Sequence, residues 1–348
     1  MQYAFLLSGE NLELAKEEIL SLIDYKDYFP FDKLLIVDVS NKPKFNLLDI
    51  TKRLALTKSI CKVLFKCSCN NLIGTIKNYS WNSVYKNNFC VRIINLNNNS
   101  GINNKKQKFS EEKIAGIIWR KIKNPKVNLE NPKTKIEFFV LENYAYCCLL
   151  IKDLKYDYDN RKSHLRPFPH PSSLHPRIAR ALINLTGIKK NEVLTDPFCG
   201  TGGFLIESCM MGIKSVGYDI DKEMAEGAKK NLRYFGISNC RIMKKDALSI
   251  KKADYVVTDL PYGLNSNLYL SAKKISLKSD KNNKKILESF YIAFLKRLKI
   301  ILNKRAVVVF PDFVDCRKII KKSKLKLKNE FDIYVHKSLT RKVFLLGK

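Results

Sequence analysis

The stretch Val193-Leu194-Thr195-Asp196-Pro197-Phe198-Cys199-Gly200-Thr201-Gly202-Gly203-Phe204 decides the fold. An apolar run typical of a strand is followed by a glycine-rich turn and then by residues typical of a helix. Glycines in such a turn let the backbone approach a ligand closely at the start of the helix. A dinucleotide fingerprint needs a third glycine at position 205, where this chain has leucine. A dinucleotide-dependent oxidoreductase is therefore disfavoured.

Strands and helices alternate from this turn to the end of the chain. The predicted strands are residues 193–195, 216–218, 240–242, 255–257 and 306–310, with helical stretches between most of them. This alternation predicts an α/β fold with a doubly wound, mostly parallel sheet. Residues 333–335 and 343–346 are close enough in sequence to pair antiparallel, which gives the sheet an antiparallel final strand.

The first half has a different, α+β pattern. Strands are predicted at residues 3–7, 36–39 and 63–65, helices at 12–22 and 47–60, and a hairpin from 136–140 and 144–150. Ser110 is predicted to cap a helix after an Asn-rich loop at 95–107. Residues 153–171 carry three prolines and indicate a linker, after which Ser172 or Ser173 is predicted to cap a helix through Leu185 that ends at Gly187. The predicted domains are 1–50, 51–152 and 172–348, with 153–171 as the linker.

The net charge of +31 points to a polyanionic partner, most simply a nucleic acid. A lysine-rich proteome would raise the charge in the same way, so the distribution matters more than the total. Residues 51–110 contain eleven Lys or Arg and no Asp or Glu. A general bias adds lysines but does not delete carboxylates. Predicted RNA contacts are Lys105, Lys106, Lys108 and Arg120.

Several protein classes are excluded by what the sequence lacks. No apolar run reaches the roughly 18–20 residues that span a bilayer, and the first residues lack the basic region of a secretory signal. The ten cysteines form no CxxC pair, so the ligand spacing of a structural zinc site is missing. We expect a reduced, cytoplasmic protein with no membrane association and no metal.

Acidic residues at strand ends indicate the ligand. Asp196 suits a ligand with an ammonium group, and Asp219 at the end of the second strand suits ribose hydroxyls. Asp246, after the third strand, is placed to reach the exocyclic amine of adenine. S-adenosylmethionine has all three groups. The cofactor-binding residues predicted from these positions are Asp196, Phe198, Gly200, Gly202, Asp219, Asp246 and Ala247.

The fourth strand ends in Thr258-Asp259-Leu260-Pro261-Tyr262-Gly263, the predicted catalytic turn. A nucleobase amine is a poor nucleophile because its lone pair is delocalised into the ring. The Asp259 carboxylate and the Leu260 carbonyl can each accept one N–H and hold the amine in line, while Tyr262 offers a stacking face beside Pro261. The alternative is a proline turn with Tyr262 in the core. Asp at position 259 favours guanine N2, whose neighbouring N1 is also a donor, although a carboxylate can serve an adenine amine too.

Three segments resemble the tRNA guanine-N2 methyltransferases that act at position 10. They are the glycine turn at 196–203, the Asp-x-Pro-Tyr-Gly turn, and Arg166-Pro167-Phe168 with His170-Pro171-Ser172-Ser173-Leu174-His175-Pro176-Arg177-Ile178-Ala179-Arg180. The tail at 336–341 is also similar. Residues 89–93 and 127–132 resemble a THUMP domain, a tRNA-binding module.

The resemblance implies an N-terminal ferredoxin-like region, a THUMP domain, a linker and a Rossmann-like methyltransferase domain. It implies S-adenosylmethionine as cofactor, held by the block around Ser173 together with Asp219 and Asp246, and tRNA as substrate. Leu260 replaces the usual proline, which leaves the carbonyl in place but predicts a less rigid turn. We expect a monomer. A small activator subunit is possible, but the sequence does not require one. A methyltransferase for another tRNA guanine, such as one in the acceptor stem, and a non-catalytic RNA-binding protein remain alternatives.

Three further features have simple explanations. His164, His170 and His175 cluster in sequence, but no Cys or acidic set completes a metal site, which favours structural or RNA-contacting roles. Cys199 has no general base beside it and is expected to be a small packing residue. Residues 271–285, within the longer loop at 264–285, are basic and polar and form either a surface loop or a flap over substrate.

Overall fold

The computed structural model describes residues 1–40, 46–96, 109–155, 157–171, 173–262, 268–270, 273–275, 281–336 and 339–348. For 268–270, 273–275 and 281–283 it describes the backbone. The chain divides into two compact units. The first comprises Met1–Lys16, Ile23–Thr51 and Leu56–Lys155, and the second comprises Glu17–Leu22, Lys52–Ala55 and Tyr156–Lys348.

The strands described in the first unit form a seven-stranded sheet. They are β1 (Gln2–Leu7), β2 (Tyr25–Phe31), β3 (Leu34–Val39), β4 (Thr57–Ser68), β5 (Phe89–Asn95), β6 (Thr134–Val140) and β7 (Tyr144–Asp153), in the order β2-β3-β1-β4-β7-β6-β5. The helices of the first 155 residues are α1 (Leu12–Leu20), α2 (Leu47–Thr51), α3 (Leu72–Asn78) and α4 (Glu111–Trp119). Because β4 pairs with both β1 and β7, the predicted regions 1–50 and 51–152 share one sheet. The division between them stays a prediction.

Local predictions in this half are mostly confirmed. The β6–β7 hairpin is antiparallel, and the Ser110 side chain accepts the N–H of Lys113 at the start of α4. The helix predicted over 47–60 is wrong beyond Thr51, because Thr57 begins β4. Pairing on both edges stabilises that segment as a strand and overrides the helical spacing of its apolar residues.

The second unit contains the predicted doubly wound sheet. Its strands are β8 (Val193–Asp196), β9 (Lys214–Asp219), β10 (Cys240–Lys244), β11 (Ala253–Asp259), β14 (Leu302–Pro311), β15 (Lys326–His336) and β16 (Leu339–Gly347), in the order β10-β9-β8-β11-β14-β16-β15. The first five in this order are parallel, and β16 is antiparallel to both of its neighbours. A separate pair is formed by β12 (Leu268–Leu270) and β13 (Lys273–Ile275). The predicted fold class is confirmed.

Helices of this unit are α5 (Pro176–Leu185), α6 (Gly203–Met210), α7 (Lys222–Tyr234), α8 (Lys281–Ile301) and α9 (Cys316–Ser323). The prediction that Ser172 or Ser173 caps α5 is wrong. His175 is the N-cap, and its Nδ1 accepts the N–H of Arg177, because Pro176 occupies the first helical position. The helix ends as predicted, with Gly187 at a φ of +68°.

The strand order reverses between β8 and β11, and the carboxyl ends of these parallel strands meet at one edge. Open α/β sheets bind ligands in the crevice at such a reversal. Asp196, Asp219 and Asp259 end β8, β9 and β11 at this edge. None of the described helices is both long enough and apolar enough to cross a membrane.

Candidate active site

The glycine turn between β8 and α6 has left-handed backbone at two positions. Gly200 has a φ of +48° and Gly202 a φ of +84°, so a side chain at either position would be strained. The N–H of Cys199 donates to the carbonyl of Tyr218 at 2.8 Å, which fixes the turn against β9. The tight turn predicted at Gly200 and Gly202 is confirmed, and their binding of cofactor stays a prediction.

Gly217 lies beneath this turn and has no room for a side chain. A β-carbon there would lie 2.4 Å from Cδ1 of Leu205 and 3.0 Å from both Cβ and Sγ of Cys199. Cys199 is buried, and burial raises the pKa of its thiol far above the usual range. Cys199 is therefore an unreactive packing residue, as the sequence indicated.

Asp219 holds the turn through its carboxylate. Oδ2 accepts the N–H of Gly200 and Oδ1 accepts the N–H of Asp221, each at 2.9 Å. Burial raises the pKa of this carboxyl, and these backbone donors oppose the rise. A carboxylate has about four acceptor sites, so two bonds leave capacity for ribose hydroxyls.

Asp196 is almost wholly buried, with 1% of its surface exposed. Its Oδ1 accepts the hydroxyl of Thr258 at 2.8 Å and the N–H of Phe198 at 3.2 Å. Burial, with a smaller contribution from the charges of Asp219 and Asp259, raises the pKa of Asp196 to about 8, against the opposing effect of the bonds from Thr258 and Phe198. An ammonium group beside this carboxyl would favour its ionised form.

The other predicted cofactor residues surround the same edge. Phe198 packs edge-on against Phe294, with ring centroids 4.8 Å apart. Asp246 accepts the N–H of Leu248 at 2.9 Å and so caps a short 3₁₀ turn that begins at the buried Ala247. Ser173, instead of capping a helix, shares a 3.1 Å hydrogen bond between its hydroxyl and that of Thr201 in the glycine turn.

Asp259, Tyr262 and Arg341 form a cluster at the end of β11. The Tyr262 hydroxyl donates to Oδ1 of Asp259 at 2.7 Å, and Nε of Arg341 lies 3.0 Å from that hydroxyl and 3.5 Å from Oδ2 of Asp259. Burial raises the pKa of Asp259 to about 6, against the opposing effects of Arg341 and Tyr262. The carboxylate is thus oriented on both oxygens and is a stronger base than an ordinary aspartate.

The backbone of this turn is held on both sides. The N–H of Leu260 donates to the carbonyl of Val309 at 3.0 Å, and the Tyr291 hydroxyl donates to the carbonyl of Pro261 at 2.7 Å. These bonds restrict the turn despite leucine in place of proline. Gly263 lies outside the described residues.

Comparison with known proteins identifies the family. A family model described as an RMKL-like methyltransferase domain matches residues 163–342, more than half of the chain. A tRNA (guanine(10)-N2)-dimethyltransferase from Pyrococcus abyssi is 30% identical over 343 residues, which cover 96% of each chain. The chain belongs to this family. The resemblance read from the sequence is confirmed.

Other relatives and a solved structure agree. The tRNA (guanine(10)-N2)-dimethyltransferase of Methanothermobacter thermautotrophicus is 29% identical over an alignment of 354 residues, which covers the full length of both chains. A tRNA (guanine(6)-N2)-methyltransferase from Methanocaldococcus jannaschii is 25% identical over 266 residues, covering 63% of this chain and 65% of its own. The crystal structure of TrmN from Thermus thermophilus shares the fold, with a TM-score of 0.50 and 16% identity over both full chains.

In this methyltransferase, sequence reasoning missed the site role of Arg341. It is 79 residues from Tyr262 along the chain and lies in β16, which packs beside β14 rather than beside β11. No local pattern marks it, since only the folded sheet brings it to the catalytic turn. Its presence in the family-like tail was the one available signal.

Ion pairs on α6 are a second feature that the sequence did not reveal. Glu207 is fully buried, and its two oxygens accept Nε of Arg161 at 2.7 Å and Nε of Arg180 at 2.9 Å. The first partner comes from the segment predicted as a linker and the second from α5. That segment is therefore anchored to α6 by an ion pair whose carboxylate is fully buried.

The predicted RNA contacts are only partly visible. Lys105, Lys106 and Lys108 lie outside the described residues, and Arg120 is exposed at the carboxyl end of α4. Half of the residues at 264–285, namely 264–267, 271–272 and 276–280, also lie outside them. His170 and Ser163 bond to each other through side chain and backbone, and the described residues contain no group of three His, Cys, Asp or Glu suited to a metal ion.

Proposed function

We propose that this protein methylates the exocyclic N2 amine of guanine 10 in tRNA, using S-adenosylmethionine. The single observation that carries the proposal is the Asp259–Tyr262–Arg341 cluster beside the buried Asp196 at the reversal of the sheet. Family membership supplies the substrate class. Because the full-length relatives are named dimethyltransferases, we propose two successive transfers to the same nitrogen.

The residues at the glycine turn fit S-adenosylmethionine. Asp196 would face the ammonium of its methionine part, Asp219 the ribose hydroxyls and Asp246 the adenine amine. Gly200 and Gly202 give the backbone a path that only residues without a side chain take easily. Bound there, the cofactor supplies an electrophilic methyl group.

The catalytic turn does its work by orientation and charge. The Asp259 carboxylate and the Leu260 carbonyl each accept one N–H of the guanine amine, which aligns its lone pair with the methyl group. Methyl transfer gives the amine a positive charge, and Asp259 accepts the proton that it then releases. A pKa raised to about 6 suits a carboxylate for this step. Tyr262 supports the carboxylate and offers its ring to the base.

The proposal includes a division of labour. The THUMP region within 51–152 would grip tRNA, with Lys105, Lys106, Lys108 and Arg120 on its phosphates, and the domain at 172–348 would perform the chemistry. We propose that the protein acts as a monomer that does not require an activator subunit, in the cytoplasm where its substrate is found. Light scattering of the purified protein, alone and with tRNA, tests the monomer.

Mass spectrometry of tRNA nucleosides tests the reaction itself. Incubation of tRNA with the purified protein and S-adenosylmethionine should yield N2-methylguanosine and then N2,N2-dimethylguanosine. A transcript in which guanine 10 and its pairing partner are exchanged for adenine and uracil should remain unmodified. Exchange at guanine 6, the site named for one relative, should have no effect. The reverse pattern would favour the acceptor-stem alternative, and no methylation of any transcript would favour a non-catalytic RNA-binding protein.

A further inference from the structure

Tyr291 in α8 holds the backbone of the catalytic turn. Its side chain is fully buried, and its ring packs edge-on against Phe310 of β14, with ring centroids 5.5 Å apart. Its hydroxyl donates to the carbonyl of Pro261 at 2.7 Å. Phenylalanine would fill nearly the same space, so packing alone does not require the hydroxyl. The role of the hydroxyl therefore lies in the turn.

The Leu260 carbonyl lies between two fixed points of the backbone. On one side the N–H of Leu260 donates to the carbonyl of Val309 at 3.0 Å. On the other side the Pro261 carbonyl accepts the Tyr291 hydroxyl. The proline ring also fixes one of the dihedral angles between these points. A large rotation of the Leu260 carbonyl therefore requires one of the two bonds to break, and Tyr291 makes the second of them.

The same part of α8 also packs on the glycine turn. The rings of Phe290 and Phe294 lie edge-on to Phe198, with centroids 5.8 and 4.8 Å apart. Tyr291 lies between these two phenylalanines in the chain, so one stretch of helix contacts both the catalytic turn and the glycine turn. This stretch therefore fixes the spacing of the two turns between which the methyl group is proposed to move.

The Tyr291 hydroxyl stays protonated across the pH range in which Asp259 ionises. Burial raises the pKa of Tyr291 well above its usual range, and the neighbouring Tyr262 and Asp259 act in the same direction. The bond to the Pro261 carbonyl therefore does not depend on pH, whereas the charge of Asp259, with a pKa of about 6, does. Loss of the hydroxyl should change the rate without moving the pH at which the rate falls.

The first of the two proposed methyl transfers needs the Leu260 carbonyl in place. The guanine amine then has two N–H groups, one for Asp259 and one for this carbonyl. The lone pair of the nitrogen forms a bond to the methyl carbon while the carbon–sulfur bond breaks, and the electron pair of that bond stays on sulfur. Asp259 accepts the proton that the nitrogen releases and then passes it to solvent. A fixed carbonyl favours this step by aligning the amine.

The second transfer makes the opposite demand on the carbonyl. The same bonds form and break with a fresh molecule of S-adenosylmethionine, and the last proton again passes to Asp259, so the one remaining N–H must face the carboxylate. The methyl group already present then takes the direction that pointed to the Leu260 carbonyl. A methyl carbon cannot approach an oxygen as closely as a hydrogen-bonded hydrogen does. The carbonyl must move aside, and a fixed carbonyl slows this step.

We propose that Tyr291 is a positioning residue that favours the first methyl transfer over the second. The inference rests on the proposed function and deepens it, because it assigns control over the number of methyl groups to the contact between α8 and the catalytic turn. By holding the Pro261 carbonyl, Tyr291 keeps the Leu260 carbonyl aligned for an amine with two N–H groups. The same bond hinders an amine that already carries a methyl group.

Single-turnover kinetics on two tRNA transcripts test the inference. One transcript carries guanine at position 10 and the other N2-methylguanine, so each transfer is measured alone. In Tyr291→Phe the first transfer should slow about tenfold, as for the loss of one aligning hydrogen bond, and the ratio of the second rate to the first should rise about fivefold or more. The pH at which the rates fall and the calorimetric affinity for S-adenosylmethionine should match wild type.

Tyr255→Phe is the matched control. Tyr255 is also buried and lies in β11, the strand that leads into the catalytic turn, but its hydroxyl bonds to Glu192 rather than to the turn. This variant loses a tyrosine hydroxyl from the same unit, yet both rates and their ratio should stay at wild-type values. The same change of ratio in both variants would assign the effect to general destabilisation and overturn the inference.

The remaining outcomes separate the claims. Equal slowing of both transfers in Tyr291→Phe, or no slowing of the first, would overturn the positioning role while leaving the proposed reaction intact. A wild-type protein whose second transfer is as fast as its first would overturn it without any variant, which covers the case in which Tyr291→Phe does not fold. A wild-type protein that methylates neither transcript would overturn the proposed function itself.

Discussion

Arg341 and Asp259 act as a pair at the scale of single residues. The guanidinium stabilises the ionised carboxylate, and the folded protein holds the pKa of Asp259 at about 6. The ionised form is the one that can accept the N–H of the base. We therefore expect the single-turnover rate of methyl transfer to fall as the pH drops below about 6.

Arg341→Met should shift the pH below which the rate falls to a higher value. Loss of a cation at this distance typically raises a carboxyl pKa by about one unit or more. Arg341→Lys keeps the cation and is expected to hold the limb near its wild-type position. If the rate of Arg341→Met falls at the same pH as that of wild type, the arginine has only a structural role.

The buried Asp196 leads to a second prediction for a single residue, which concerns how the stability of the folded protein depends on pH. Its pKa is raised to about 8 in the folded protein, so the folded state binds this proton more tightly than the unfolded state does. The protonated carboxyl makes its full contribution to the free energy of unfolding at acid pH, and this contribution is lost as the pH rises towards 8. Asp196→Asn cannot lose a proton, and its amide oxygen can still accept the bonds from Thr258 and Phe198.

At pH 8 the ligand-free Asp196→Asn protein should therefore be more stable than wild type, by on the order of a few kcal/mol in free energy of unfolding, and should melt at a higher temperature. The gap should shrink at pH 5. The same variant should bind S-adenosylmethionine more weakly, because it no longer offers a negative charge to the ammonium. A gap in melting temperature that does not change with pH would contradict the shifted pKa.

At the scale of elements, the glycine turn depends on Asp219. Asp219→Ala should raise the dissociation constant for S-adenosylmethionine about tenfold or more, since charge-assisted hydrogen bonds contribute about 1.5–3 kcal/mol. Part of this loss comes from the two backbone bonds that shape the turn. Asp219→Asn can keep one of them and should fall between wild type and Asp219→Ala. Unchanged affinity by calorimetry in both variants would remove Asp219 from the site.

Elements were predictable from the sequence where local pattern and tertiary pairing agree. The strand, glycine turn and helix at 193–210 follow from apolar runs and glycine placement alone. The helix predicted over 47–60 failed because pairing of β4 on two edges decides its structure. His175 displaced Ser173 as the cap of α5 because the proline at 176 fixes where that helix begins. The first outcome depends on tertiary pairing and is not visible in a window of a few residues, whereas the second follows from a local proline that the sequence reasoning did not use.

At the scale of the whole molecule, the order of the strands assembles the site. Asp196, Asp219 and Asp259 could be assigned from sequence because each ends a predicted parallel strand. Arg341 could not, because β16 reaches the catalytic turn only through the fold. The ion pairs of Glu207 with Arg161 and Arg180 were also not predictable, because they too join residues that meet only in the folded protein.

The basic run in the first half gives a whole-molecule prediction. Replacing Lys105, Lys106 and Lys108 together with alanine should weaken tRNA binding at low salt. The slope of log K against log salt should flatten by up to about two to three units if three phosphate contacts are lost. Affinity for S-adenosylmethionine should not change. Wild-type affinity and slope would show that the run is an ordinary solvated loop.

The most direct test of the account compares methyl transfer and cofactor binding in Asp259→Ala. Because the carboxylate is proposed to orient the guanine amine, the single-turnover rate on tRNA should fall about a hundredfold or more. The affinity for S-adenosylmethionine by calorimetry should stay close to wild type, since Asp196, Asp219 and the glycine turn are untouched. A near-normal rate in this variant would contradict the assignment of Asp259 as the residue that orients the base.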